Sequence, residues 1–408
     1  MYSVTSIAVF LFSSLALLLP SGYSFGAALL LLGSAALLTR RRQRLVLERD
    51  DYWLIAAFLV YFVVCALSTI VNDSALNELD IPLRFVLAIP PFLLLRAYPP
   101  APGAVWGGFA AGGIGAGLLA ISSVAVLGLD RAAGYTNPIQ YGNLSLLFGV
   151  LCLAGSGWAR EQPKAGFWIA LLLTGAVLGI LGSILSGSRG SYIALPACLI
   201  VLYAYSERRL RRRQLTVAAA GTMLIVAATS MMPNMDIQQR LQGTVNEATG
   251  YFKSGQAANS VGGRLEMWRT GVLVALERPL FGWGKQGFMQ RKKELVDAGS
   301  AHPYILEHTH AHNEYIDVMA KRGVLGLAAL LLLYLAPLVL LTRQLRSADA
   351  PESRAYTIGG MLVIVCYMIF GLTQAFLTHN NGALTLALIL SIMWAMKKTH
   401  PTPTSRIP

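Results

Sequence analysis

Apolar runs of about 17–25 residues recur from one end of this chain to the other, and each can cross about 30 Å of hydrocarbon as a helix. Twelve such segments are expected, at 4–20, 23–39, 52–71, 81–97, 103–128, 140–157, 165–186, 190–206, 215–232, 322–342, 355–374 and 382–396. Only 13% of the 408 residues are charged, against about 25% in soluble domains. The predicted class is an all-α polytopic integral membrane protein of about twelve transmembrane helices. The first apolar run lacks a basic leading region and a small-x-small cleavage site, and reads as a retained span rather than a signal peptide.

The net charge of +13 follows the loops. With the N-terminus in the cytoplasm, the inner loops carry Arg40-Arg41-Arg42-Gln43-Arg44, Arg208-Arg209 and Arg211-Arg212-Arg213, Arg343, Arg346, Lys397 and Lys398. The short outer loops are almost free of positive charge, as the topology rule requires. Both termini are therefore expected inside. No basic face with interleaved aromatics suggests nucleic acid. The four cysteines, Cys65, Cys152, Cys198 and Cys366, each sit in a separate apolar run and read as packing residues.

The chain divides into nine membrane helices over 1–232, a polar outer segment over 233–321, three further helices over 322–396, and a tail over 397–408. Within the outer segment a helix is expected over 236–252, a flexible link over 255–263, a helix over 264–277 stopped by Pro279, and a short helix over 289–297. Asn313 is a candidate N-cap for a helix that opens with Glu314 and Asp317 and runs into the span at 322.

Four of the six histidines, His302, His308, His310 and His312, fall near the end of this segment. Imidazole is the side chain best suited to move a proton near neutral pH. The cluster therefore reads as a source for a catalytic base, with metal binding or polar filler as the alternatives. Arg189, in Ser186-Gly187-Ser188-Arg189-Gly190-Ser191, lies in a polar turn with exposed backbone N–H groups, a composition that suits an anion. Arg264 opens a helix, with Trp268 one turn on and on the same face as a platform for sugar or isoprenoid. Arg269, Arg291, Lys292 and Lys293 read as solvated. Arg84, just inside the fourth span, is a weaker candidate. Asn137, in the polar stretch Tyr135–Asn143, could line a cleft or cap a helix, and His379-Asn380-Asn381 is similar.

Ser188-Arg189-Gly190, Gly263-Arg264 with Trp268, Pro279-Leu280-Phe281-Gly282-Trp283-Gly284 and His310-Ala311-His312-Asn313, in this order, resemble the O-antigen ligase family. The resemblance covers roughly 135–330 at the level of motifs and the whole chain at the level of topology. It implies a fold similar to the membrane-embedded glycosyltransferases of the C type. It implies residence in the inner membrane of a Gram-negative bacterium, with the active site at the periplasmic face. The donor would be a glycan on undecaprenyl pyrophosphate and the acceptor a sugar hydroxyl of lipid A-core, joined with inversion and without metal or cofactor. The family's catalytic histidine maps onto His312 and its phosphate-binding arginines onto Arg189 and Arg264. Arg84, His310, Trp268, Asn313, Asn137 and Ser188 are then substrate-binding candidates, and His310 remains a rival base. The competing readings are an O-antigen polymerase, a protein O-oligosaccharyltransferase and, in a different class, a flippase of lipid-linked glycan. No obligate protein partner is expected.

Overall fold

The computed structural model describes residues 1–38, 45–206, 237–346 and 350–397. Among them the regular structure is helical: α1 Tyr2–Leu15, α2 Tyr23–Gly33, α3 Arg49–Val71, α4 Leu83–Leu87, α5 Ile89–Ala97, α6 Pro102–Ile121, α7 Pro138–Ala159, α8 Ala165–Leu185 and α9 Arg189–Tyr205. The outer segment forms α10 Ile237–Ser254, α11 Ser260–Glu277 and α12 Gly284–Asp297. The chain closes with α13 Glu314–Leu345, α14 Pro351–Phe370 and α15 Asn380–Met396.

Six of these helices are long and apolar enough to cross a membrane: α3, α6 with its continuation to Val126, α7, α8, α13 and α14. Four more expected spans appear as shorter apolar helices: α1, α2 with its extension to Leu38, α9 and α15. The expected span 81–97 is divided at Ala88 into α4 and α5, where Pro90 and Pro91 open the second piece. The segment 215–232 lies outside the described residues.

The bundle is assembled around α7, whose side chains are almost all buried. It packs on α6 and α8 through glycine, because without a hydrophobic driving force inside lipid, helices gain by close backbone approach. A Cβ on Gly155 of α7 would lie 2.6 Å from the Trp106 ring of α6, and one on Gly179 of α8 would lie 2.9 Å from the Ser145 carbonyl oxygen of α7. Trp106 of α6 stacks on Tyr356 of α14, with ring centroids 4.9 Å apart. The cysteines do act as buried packing residues, but not all in isolation: Cys198 and Cys366 are free thiols with sulfurs 3.3 Å apart.

At one end of the bundle, Asp51 accepts from Arg96 Nε at 3.0 Å, Trp394 Nε1 at 2.9 Å and the Glu48 N–H at 2.9 Å. The Asp51 and Arg96 side chains are 1% and 6% exposed. Removing one partner of a buried pair strands the other charge. Asp51→Ala is therefore expected to cost about 3–5 kcal/mol, read as a fall in the thermal unfolding midpoint of the detergent-solubilised protein.

Three boundaries in the segment 237–321 differ from expectation, the first being that α12 begins at Gly284 rather than at 289. The link is shorter than 255–263, because Asn259 caps α11 by accepting from the Gly262 N–H at 2.8 Å, which draws residues 260–263 into the helix. Arg264 therefore sits in the second turn rather than at the opening. The helix of Asn313 does not run straight into the membrane either. It breaks at Gly323, where φ is +67°, a region L-residues rarely adopt. The Pro279–Gly284 turn fills the break: the Val324 N–H donates to the Pro279 carbonyl at 2.7 Å and the Trp283 N–H to the Ala320 carbonyl at 3.0 Å. A Cβ at Gly323 would meet the Leu280 carbonyl oxygen at 2.2 Å. Ser68 and Asn72 of α3 and its C-cap then hold the turn through the Phe281 carbonyl, at 3.0 and 3.3 Å.

Candidate active site

The histidine loop is pinned from below by the helix that follows it. Asn313 accepts from the N–H groups of Tyr315 and Ile316 at 3.0 and 3.1 Å, the expected cap, and its Nδ2 donates to the Leu372 carbonyl at 3.3 Å. Asp317 accepts from the Ala311 N–H at 2.9 Å and from Lys321 Nζ at 2.8 Å. Lys321 also donates to the Thr309 carbonyl at 3.0 Å, and Lys292 donates to the carbonyl of His308. Both ammonium groups lie over the Phe288 ring, 5.3 and 5.4 Å from its centroid. Two cations on successive carbonyls fix the loop in one shape.

Lys292 corrects the sequence reading: it is not solvated but 2% exposed, and burial together with the Lys321 charge lowers its pKa to about 8. Lys292→Met should keep the chain's bulk there and release the loop. The expected result is a fall in kcat of about tenfold or more, as for a misplaced catalytic group, with the KM for donor little changed.

Within the fixed loop the three alternate histidines meet. The ring centroids of His310 and His312 are 4.3 Å apart and those of His308 and His312 4.8 Å, with His312 Nε2 3.5 Å from His308 Nδ1. His312 has φ +49°, a left-handed conformation that costs about 1–3 kcal/mol. The cap at Asn313 and the Asp317 contact stabilise that conformation. The Nδ1 atoms of His310 and His312 are buried without a hydrogen-bond partner. Burial, then the positive charges of His310, Arg264 and His308, lower the pKa of His312 to about 3, with Gln374 acting in the opposite direction. Burial and Lys321 lower that of His310 to about 3. Both imidazoles are therefore neutral at pH 7. The unfolded chain takes up protons from about pH 6.5 downward while these buried rings do not. Stability should accordingly fall as pH drops from 7 toward 4, measured as the thermal midpoint against pH.

His379 joins the cluster from the α14–α15 connection, its ring 5.8 Å from that of His310 and its Nε2 3.2 Å from Gln374 Nε2. Arg264 is near enough for its charge to depress the proton affinity of both His308 and His312. Trp268 shares its face of α11, and its Nε1 is buried without a partner. Arg189 is the first residue of α9. The turn before it is more buried than expected: Ser186, Ser188 and Ser191 have almost no exposure. Ser188 Oγ donates to Asn143 Oδ1 at 2.7 Å, and the Ser188 N–H to Ser186 Oγ at 3.2 Å. Arg131 clamps the turn through the Ser186 and Gly187 carbonyls at 2.7 and 3.2 Å. A Cβ at Gly190 would lie 2.5 Å from Thr373 Oγ1. The start of α9 and the cap of the histidine loop thus rest on one connection, residues 371–374.

Asn137 caps α7 by accepting from the Gln140 N–H at 2.9 Å. Arg84 donates to Asn380 Oδ1 at 2.8 Å, beside a cavity of about 200 Å³ that His379 also lines. Among the described residues, no group of three or more His, Cys, Asp or Glu side chains is placed to hold a metal ion. The sequence reading missed Lys292, Lys321 and Gln374, and rated His379 low. The one available signal was the pairing of Asp317 with Lys321 four residues on.

The fold and the site define a multi-pass helical membrane protein whose segment between α9 and α13 carries a half-buried histidine cluster near an arginine. A family model for the O-antigen ligase matches residues 174–331, which run from α8 into α13 and contain Arg189, Arg264 and the whole histidine loop. The resemblance read from the motifs is thereby borne out. The chain is 25% identical over 194 residues to the O-antigen ligase of Escherichia coli K12, covering 47% of this chain and 44% of that protein. It is also 27% identical over 377 residues to an uncharacterized protein of Haemophilus influenzae Rd, covering 92% of this chain and 93% of that one.

Proposed function

We propose that this chain is an O-antigen ligase: it transfers a glycan from undecaprenyl pyrophosphate to a sugar hydroxyl of lipid A-core at the periplasmic face of the inner membrane. The observation that carries the reading is a half-buried, neutral His312, its Nδ1 enclosed, within reach of the Arg264 charge and in the segment that matches the family. A neutral hydroxyl must lose its proton as it attacks the anomeric carbon, and His312 accepts that proton. The new C–O bond forms as the bond from the anomeric carbon to the pyrophosphate oxygen breaks, with inversion. The leaving pyrophosphate carries away the electron pair, its charge met by Arg264 and Arg189. Arg189 enters this assignment through the family motif and its position at the head of α9. Trp268, on the same face of α11 as Arg264, completes the donor side, and no metal or cofactor is assigned a role.

A proton affinity this low makes His312 a weak base in the donor-free protein, well below the optimum for general-base catalysis near neutral pH. A base that stays neutral is ready to accept, and the arriving pyrophosphate offsets the cations that depress it. In-vitro transfer tests the reading: purified protein, undecaprenyl-pyrophosphate glycan and lipid A-core, with and without EDTA. A higher-mass lipopolysaccharide that survives EDTA is expected. Longer glycan left on the lipid carrier would make the chain a polymerase instead. Loss of transfer with EDTA would return the histidines to a metal site.

A further inference from the structure

His310 lines a cavity of about 230 Å³. Its walls come from α3, the connection over 72–82, the Gly284 turn, the first part of α13 and the connection over 377–379. Neither His312, Arg264, nor any residue of the Ser186–Ser191 turn is among its walls. The ionisable groups that face it are of both signs: Lys285, Lys321 and Arg322, with Glu78, Asp317 and Glu314, the last of which burial raises to about 7. Several are already engaged, Lys321 with Asp317 at 2.8 Å and Arg322 with Tyr61 Oη at 3.3 Å. Glu314 gives one oxygen to the Leu377 N–H at 2.7 Å. Two polar atoms have no partner, Nδ1 of His310 and Oε1 of Glu78.

We propose that this cavity is a subsite for one neutral pyranose ring, and that His310 is the wall through which that sugar meets His312. This rests on the transferase reading above. The physical grounds are size, charge and placement. In a chamber whose walls mix both signs, hydroxyl groups can donate to carboxylates and accept from ammonium and guanidinium groups. Unpaired buried acceptors such as Glu78 Oε1 are costly until a donor arrives. A sugar held there meets His310, whose ring lies 4.3 Å from that of His312, in a chamber that neither Arg264 nor the Ser186–Ser191 turn lines. An attacking group and a leaving group need that separation. The same ring chemistry could belong to the acceptor or to the first sugar of the donor, and placement favours the acceptor.

The test fills the cavity at two positions outside the catalytic set, Asn77→Trp and Thr378→Trp. Steady-state transfer would be measured with each substrate varied, and donor-induced thermal stabilisation would verify that each variant folds and binds donor. The expected result is a rise of about tenfold or more in the KM for lipid A-core, the scale of one lost pocket contact set, with donor stabilisation unchanged. A rise in the donor KM alone would keep the pyranose subsite and assign it to the donor. Unchanged KM values for both substrates in folded variants would overturn the proposal. Saturation-transfer NMR with methyl hexosides on the wild type and both variants does not depend on transfer. Signal in the wild type that is lost in the variants would support the subsite even if no glycan reached lipid A-core, and no signal in the wild type would refute it.

Discussion

Purified His312→Ala is expected to lose about 10²–10⁴ of the transfer rate, the usual contribution of a positioned base, while still being stabilised by the donor. The loss should fall on kcat, because in the proposed mechanism the imidazole acts on the hydroxyl only as the bond forms. His310→Ala separates the two candidates. If His310 only lines the acceptor side, its removal raises the acceptor KM and leaves most of kcat. The pH profile adds a check that a structural histidine would not pass. In the donor-free protein, burial and then His310, Arg264 and His308 hold His312 to about 3, so the acidic limb of kcat/KM should lie far below neutrality. Bound pyrophosphate adds negative charge and raises that affinity, so the acidic limb of kcat should lie at higher pH. A His312→Ala protein with near wild-type kcat, or identical limbs in the two profiles, would remove His312 from the chemistry.

Arg264→Ala should cost about 10²–10³ in rate, comparable to loss of one preorganised group that meets developing charge. Arg264→Lys should recover part of it, since an ammonium keeps the charge but not the two-pronged grip of a guanidinium. A second signature follows from the electrostatics. Arg264 is one of the charges that depress His312, so Arg264→Ala should move the acidic limb of kcat/KM upward in pH, and Arg264→Lys should not. A lowered rate with an unmoved limb would mean that the arginine holds the fold of α11 rather than the leaving group.

Much of the frame was legible because it is written in local patterns. Apolar length marks the helices, Asn313 ahead of Glu314 marks a cap, and alternate histidines in an extended loop point to one place. Lys292 was not legible. A lysine in a run of charged residues on a short helix reads as solvated, and only the folding of His308 onto α12 buries it. His379 belongs to the site through contacts made 69 positions away from His310 in sequence, set by how α13, α14 and α15 pack. The serines around Arg189 were read as an exposed cradle, but they are spent on Asn143 and on the turn itself. Gly323 carried a signal in plain view, a glycine directly after Lys321-Arg322, whose meaning depends on the Pro279–Gly284 turn that fills the gap.

The break at Gly323 makes the first part of α13 a strut rather than the top of a membrane span. From the Asn313 cap to Gly323 it measures about 15 Å at 1.5 Å per residue. It stands on the Pro279–Gly284 turn and bears the histidine loop at its far end. The height of the reacting atoms is therefore set by a residue count and not by the thickness of the surrounding lipid. One residue added within the strut would lift the loop by only about 1.5 Å but swing it by about 100° around the helix axis, carrying His312 away from Arg264. The strut can change many of its side chains, but it cannot change its length.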